Sequence, residues 1–313
     1  MTVPVGAAEA GWEEERRPDS GRKAMSLTAP RLLAMRRTVL GRRLTPSLWV
    51  GGGLVLLLLL IALLAPVLSS YPPDMVMGES RLLPPSLAHP FGTDALGRDM
   101  FSRVMHGARI AVGMAVVGVG IAAVVGVALG ALAGYRGNWL DQLLSRGMEV
   151  WLAFPSLLLA IIIVARLGPS LRSTVIALGI IGVPSFYRVT RGSTLSARRT
   201  PYVEAAWAVG ARDRRILLRH ILPNIAAPLV VLVTMRLGVV VLAGGALSFI
   251  GLGAQPPQPE WGALLAAGRA YMDSAPWLAI FPGLFITFSV VGFNLLGDGL
   301  RDALDPRLRN GRG

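Results

Sequence analysis

The chain has no cysteine and a single lysine, Lys23, in 313 residues. Without cysteine there can be no disulfide, no thiolate metal site and no palmitoyl attachment, so nothing about redox compartment can be inferred. A Walker loop needs lysine directly after glycine to hold nucleotide phosphates, and Lys23 follows Arg22. This excludes an ATPase site of that kind within the chain. Histidine is almost as scarce. His89, His106 and His220 are never spaced as a zincin pair, and no nucleophile elbow occurs. No catalytic residue and no metal ligand is therefore expected, and no bound cofactor. Charge is also sparse, with Asp, Glu, Lys and Arg at 16% of residues against about 25% in soluble domains.

What the chain has instead is apolar length. Hydrophobic residues make up 53% of it, and the net charge is +13. Such a charge invites a nucleic-acid reading, but the basic residues lie mostly between apolar runs, which membrane topology explains better. A bilayer core takes about 20 apolar residues per helix. Four windows satisfy this: 48–68, 110–134, about the first 30 residues of 221–259, and 274–297. Two windows are short, 150–165 and 173–187. Either they extend into their flanks, with arginines snorkelling, or they form a re-entrant hairpin. Extension is the expectation, because Gly147 and Met148 can lengthen the first and Val189 and Thr190 the second. The fold class expected is all-α, a polytopic membrane protein with six transmembrane helices.

Six spans put both termini on one side. That side collects 23 basic residues and the other 7, a bias that predicts cytosolic termini. The first span begins after 47 residues and exceeds the 7–15 residues of a signal h-region, so it reads as retained. Before it, residues 1–29 are rich in Gly, Pro, Glu and Ala and read as disordered. Residues 31–44 mix basic and apolar side chains. They read equally as an amphipathic helix on the inner leaflet or as a plain positive anchor. The divisions expected are a tail at 1–46, the first span and outer loop at 47–106, a five-span core at 107–300 and a C-terminal tail at 301–313.

Three features carry more specific meaning. In the first outer loop, His89, Asp94 and Asp99 suggest a metal site, but the surrounding Gly92-Thr93-Asp94 and Gly97-Arg98-Asp99 read better as turns and as a cap for span two. Gly126, Gly130 and Gly134 form a small-xxx-small ladder, which lets helices approach closely in lipid. Arg236 is the one charge well inside a span. Such a charge faces a cavity or a partner, here either a pore-side contact for a carboxylate or a salt bridge to a partner chain.

The polar segment between spans four and five is the most informative. Glu204, Ala205, Ala206, Gly210, Leu222 and Pro223 resemble the EAA loop of bacterial ABC import permeases, E-A-A, three residues, G, nine residues, I-x-L-P. His220 stands where the general signature has Ile. The run Arg219-His220-Ile221-Leu222-Pro223-Asn224 is similar to the peptide and nickel branch. The string from His89 to Arg103, H-x-x-G-T-D-x-x-G-R-D-x-x-S-R, resembles the C-type permease of dipeptide and oligopeptide importers. Two later strings, from Gly251 to Gly262 and from Gly297 to Arg307, extend the likeness. One departure is Gly244, where many relatives carry an acid; an acid that touches cationic cargo there would imply different cargo here.

The resemblance implies a type I ABC importer permease fold. It also implies a second homologous permease subunit, two ABC ATPase subunits that use the ATP, and an extracytoplasmic solute-binding protein, in contact with membrane lipid and with no nucleic acid. The segment 201–224 would be a coupling hairpin. Ala205, Ala206 and Val209 would give its first helix a small apolar face, Gly210 the turn, Asp213 a cap for the second helix, and Pro223 its end. Cargo would be di- or oligopeptides, or alternatively nickel or another small solute. A stand-alone secondary transporter would need intramembrane acids, which the spans almost lack. An intramembrane enzyme would need paired catalytic residues.

Overall fold

The computed structural model describes residues 45–304. The readings on the N-terminal tail and on residues 305–313 lie outside the described residues. The described elements are α1 (Pro46–Leu68), α2 (Met100–Arg136), α3 (Asn138–Leu152), α4 (Ser156–Leu167), α5 (Leu171–Arg198), α6 (Pro201–Ala208), α7 (Asp213–Ile216), α8 (Ala226–Phe249), α9 (Trp261–Gly268) and α10 (Trp277–Leu304), with short 3-10 and π turns between some of them. No strand occurs among the described residues.

Helices α1, α2, α5, α8 and α10 are each long and apolar enough to cross a membrane, and a sixth crossing arises if α3 and α4 count as one. This last pair corrects the expected straight span over 150–165. Its two helices are bent by 90°. Pro155 lacks an N–H and disfavours helical backbone in the residue before it, so the helix stops at Leu152 and restarts at Ser156. Gly147 and Met148 do extend the helix, but along α3, which points elsewhere. The other short window lengthens as expected into the continuous α5. The fifth span starts at Ala226 rather than near 221, because Pro223 and the turn after it interrupt the chain.

The glycine ladder sets the tightest helix pair, α2 against α5. A Cβ on Gly126 would stand 2.5 Å from that of Phe186, on Gly130 2.5 Å from the Tyr187 carbonyl oxygen, and on Gly134 2.7 Å from that of Arg191. Backbones at this range gain dispersion contacts that larger side chains would prevent. At its far end α2 begins on a cap. The Asp99 carboxylate accepts from the Ser102 N–H at 2.7 Å and lies 2.9 Å from His89 Nδ1. Asp94 accepts from the N–H groups of Leu96 and Arg98, both at 2.9 Å, and from Arg98 Nε at 2.7 Å. These carboxylates are occupied in cap and turn chemistry, as expected for the string.

The second string, from Gly251 to Gly262, docks on this end. Trp261 is fully buried, lies against Gly107 and donates its indole N–H to the Val104 carbonyl at 2.9 Å. Glu260, also buried, caps α9 by accepting from the Ala263 N–H at 3.0 Å. Burial pushes the Glu260 carboxyl above the usual range, and donors from Ser248, Gly262 and Ala263 pull the other way. Phe91 of the first string stacks on Phe281 with 4.0 Å between ring centres. Strings far apart in sequence thus build one platform on α2 and α10.

Candidate functional site

The EAA-like segment folds as a short helical hairpin. Proline at the first position of α6 suits its φ angle, and Glu204 in the first turn favours the helix dipole. The helix closes with both bonds of a Schellman motif. The Gly210 N–H reaches the Trp207 carbonyl at 2.9 Å and the Ala211 N–H that of Ala206 at 3.0 Å. Gly210 adopts φ +76°, a conformation that side chains with a Cβ rarely take. Ala211 then packs with Ala206 in a small cluster that includes Val203, Ile216, Ile221 and Ile225.

The face of α6 differs from expectation. Val203 and Ala206 are the residues turned inward, whereas Glu204, Ala205 and Val209 are exposed. A helix this short has one inner stripe, and the neighbouring α7 and the turn after it occupy it. Asp213 does not cap α7, whose cap position is Arg212 without a side-chain bond. Its carboxylate instead accepts from the Tyr135 hydroxyl at 2.7 Å. Trp207 Nε1 donates to that same hydroxyl at 3.1 Å, and the Arg198 guanidinium lies 5.9 Å from the Tyr135 ring centre and 5.6 Å from that of Trp207.

The hairpin is therefore clasped to the C-terminal ends of α2 and α5. Sequence reasoning missed Tyr135, Trp207 and Arg198; the available signal was a lone tyrosine at the polar end of an apolar run. A second missed tie holds α3, where Asp141 accepts two bonds from Arg191 of α5 at 2.5 and 2.6 Å.

The run after α7 widens into a π turn over Leu217–Ile221. The Leu222 N–H reaches the Leu217 carbonyl at 2.9 Å and Asn224 donates to the His220 carbonyl at 2.6 Å. Pro223, exposed and without an N–H, cannot continue the helix. Leu222 is half-buried against the hairpin cluster. Arg212, Arg214, Arg215 and Arg219 stay exposed.

Glu204, Ala205, Ala206, Gly210, Asp213, Leu222 and Pro223 thus share one compact unit, and Arg236 is apart from it. At 1.5 Å per residue Arg236 lies about 15 Å along α8 from Ala226. Its guanidinium bonds the Ser185 hydroxyl of α5 and lines a cavity of about 80 Å³. Gly244, two turns further on, is buried, and a Cβ there would press into the thioether of Met114 and meet Leu178 at 3.4 Å. An acid does not fit that position without displacing Met114.

Comparisons with known proteins agree with this architecture. The family described as "Binding-protein-dependent transport system inner membrane component" matches residues 126–310. The dipeptide transport system permease protein DppC of Alkalihalophilus pseudofirmus is 47% identical over 80% of this chain and 83% of its own. The glutathione transport system permease protein GsiD of Pectobacterium atrosepticum is 45% identical over 92% of this chain and 98% of its own. A putative peptide transport system permease protein of Brucella suis is 43% identical over 93% and 95%. Among solved structures, an inward-facing MetNI methionine ABC transporter aligns with a TM-score of 0.55 at 19% identity, covering 66% of this chain and 98% of that one. The fold is that of an ABC importer permease, and the chain belongs to the binding-protein-dependent transport system inner membrane components.

Proposed function

We propose that this chain is the transmembrane permease subunit of an ATP-driven importer of di- or oligopeptides, forming half of the translocation pathway. The observation that carries this reading is the clasped hairpin bearing the EAA register. A rigid helical unit tied through Tyr135 and Asp213 to a 37-residue helix can pass movement from a docked protein into the spans. Exposed Glu204, Ala205 and Val209 form the docking face, and the small side chains allow close approach. The relatives named for dipeptides, peptides and glutathione favour peptide cargo over nickel. ATP is bound and hydrolysed by two separate ATPase chains, a second permease completes the pathway, and a solute-binding protein delivers cargo from outside. This chain holds no cofactor in that scheme.

The decisive experiment compares the lone chain with the assembly in liposomes. The lone chain should show neither ATP hydrolysis nor gradient-driven peptide uptake. Adding the second permease, both ATPases and the binding protein should produce ATP-dependent import. Uptake by the lone chain under a proton or sodium gradient would favour the secondary transporter instead.

We further propose that the hairpin and both termini face the cytosol, from the 23-to-7 distribution of basic residues. A cysteine replacing Leu87, fully exposed in the loop before α2, in this otherwise cysteine-free chain should react with an impermeant reagent in intact spheroplasts, whereas one replacing Tyr202 should react only after permeabilisation. The reverse pattern would invert the topology.

A further inference from the structure

Arg236 lies well inside a membrane-crossing helix, where a guanidinium is costly unless it meets a partner. Among the described residues no carboxylate pairs with it. Its protein partner is the Ser185 hydroxyl, which engages one of five N–H donors. The guanidinium is half-buried. It lines the cavity bounded by α2, α4, α5 and α8, whose walls are otherwise largely apolar, with Val119, Leu178, Phe186 and Val240 among them. The first turn of α4 lines the same cavity at Ser156 and Leu157, and no side chain caps that helix.

We propose that this cavity is a recognition site for a carboxylate of the transported solute, with Arg236 as the residue that reads it. Arginine presents a planar fork matching both oxygens of a carboxylate. Apolar walls strengthen that pairing by excluding water, and an 80 Å³ space admits a small planar group rather than a whole peptide. Four helices of this chain supply the walls, and Ser156, Leu157 and Val239 among the lining residues are exposed. The inference rests on the transport reading only for the source of the carboxylate.

The site can be tested without relying on transport. Ser156 is exposed and lines the cavity, so Ser156→Cys supplies a single thiol there. Its modification by an uncharged maleimide is followed in membranes carrying the assembled importer, with alanine tripeptide, the tripeptide C-terminal amide or inorganic phosphate at equal concentrations. The free acid should slow labelling about tenfold, the scale of a charge-assisted hydrogen bond, while the amide and phosphate should not. Arg236→Gln should abolish the protection, and Arg236→Lys should keep part of it, since lysine retains charge without the fork. Equal protection by acid and amide, equal protection by phosphate, or full protection in Arg236→Gln would each overturn the assignment. Peptide uptake by the same preparations separates the two readings. Protection by the acid without any peptide import would sink the peptide function and leave the site standing. Import at the same rate in Arg236→Gln would sink the site and leave the function.

Discussion

Gly130→Val should remove most of the protein from the membrane, and Gly120→Val on the same helix should not. A Cβ on Gly130 would stand 2.5 Å from the Tyr187 carbonyl oxygen and 2.9 Å from Thr190 Cβ. Backbone oxygen cannot swing aside as a side-chain tip can, so α2 and α5 must separate. Overfilling a close-packed site costs about 1–3 kcal/mol even where neighbours yield, and here the contact is the backbone of the partner helix. Separation would also loosen the steps at Gly126 and Gly134. Nothing lies within 4 Å of a Cβ built on Gly120, so valine there adds a methyl pair to open space. Thermal unfolding of the purified chains in detergent should show a large drop for Gly130→Val and almost none for Gly120→Val. Equal melting of the two variants would mean that the ladder is not the contact that holds α2 to α5.

Gly210→Val should leave the protein folded in the membrane and severely reduce coupled import. Residue 210 has open space around its Cβ, so the damage comes from backbone angle alone. The φ of +76° costs an ordinary residue about 1–2 kcal/mol, and a β-branched one more. Relieving that strain means abandoning both Schellman bonds and tilting α6 away from α7. The spans are untouched, so membrane abundance should stay near normal. In the reconstituted assembly peptide uptake should fall by about tenfold or more, while ATP hydrolysis persists without stimulation by loaded binding protein. Gly210→Asn should retain much of the uptake, because asparagine tolerates this region. Normal uptake by the valine variant would show that the turn angle does not matter to coupling.

Sequence reasoning reached different depths in different places. Apolar length gave α1, α2, α8 and α10 directly, because in lipid a helix satisfies the whole backbone of such a run within the run itself. The 90° bend between α3 and α4 was missed because composition averaged over residues 150–165 hides the single proline that redirects the chain. The cap at Asp99 was legible, since it depends on residues three apart. The clasp of Tyr135, Trp207, Asp213 and Arg198 was not. It joins positions up to 78 apart, and no local pattern announces such a pairing. For the same reason Asp213 was assigned to its own helix and turned out to serve another. Arg236 was conspicuous in sequence, but only the fold shows that it borders a cavity.

The length of α2 has a mechanical consequence. Its 37 residues span about 55 Å, well beyond a hydrocarbon core of about 30 Å. One end is tied through Asp99 to His89 of the platform, and the other carries Tyr135 into the hairpin. Such a rod is a lever. If it pivots near its anchored end, a tilt of only about 5° carries the Tyr135 end sideways by about 5 Å, roughly one helical turn. Small rearrangements beneath the Trp261 platform would thus reach the opposite side of the membrane magnified, and a push on the hairpin would arrive at the platform reduced in distance and increased in force.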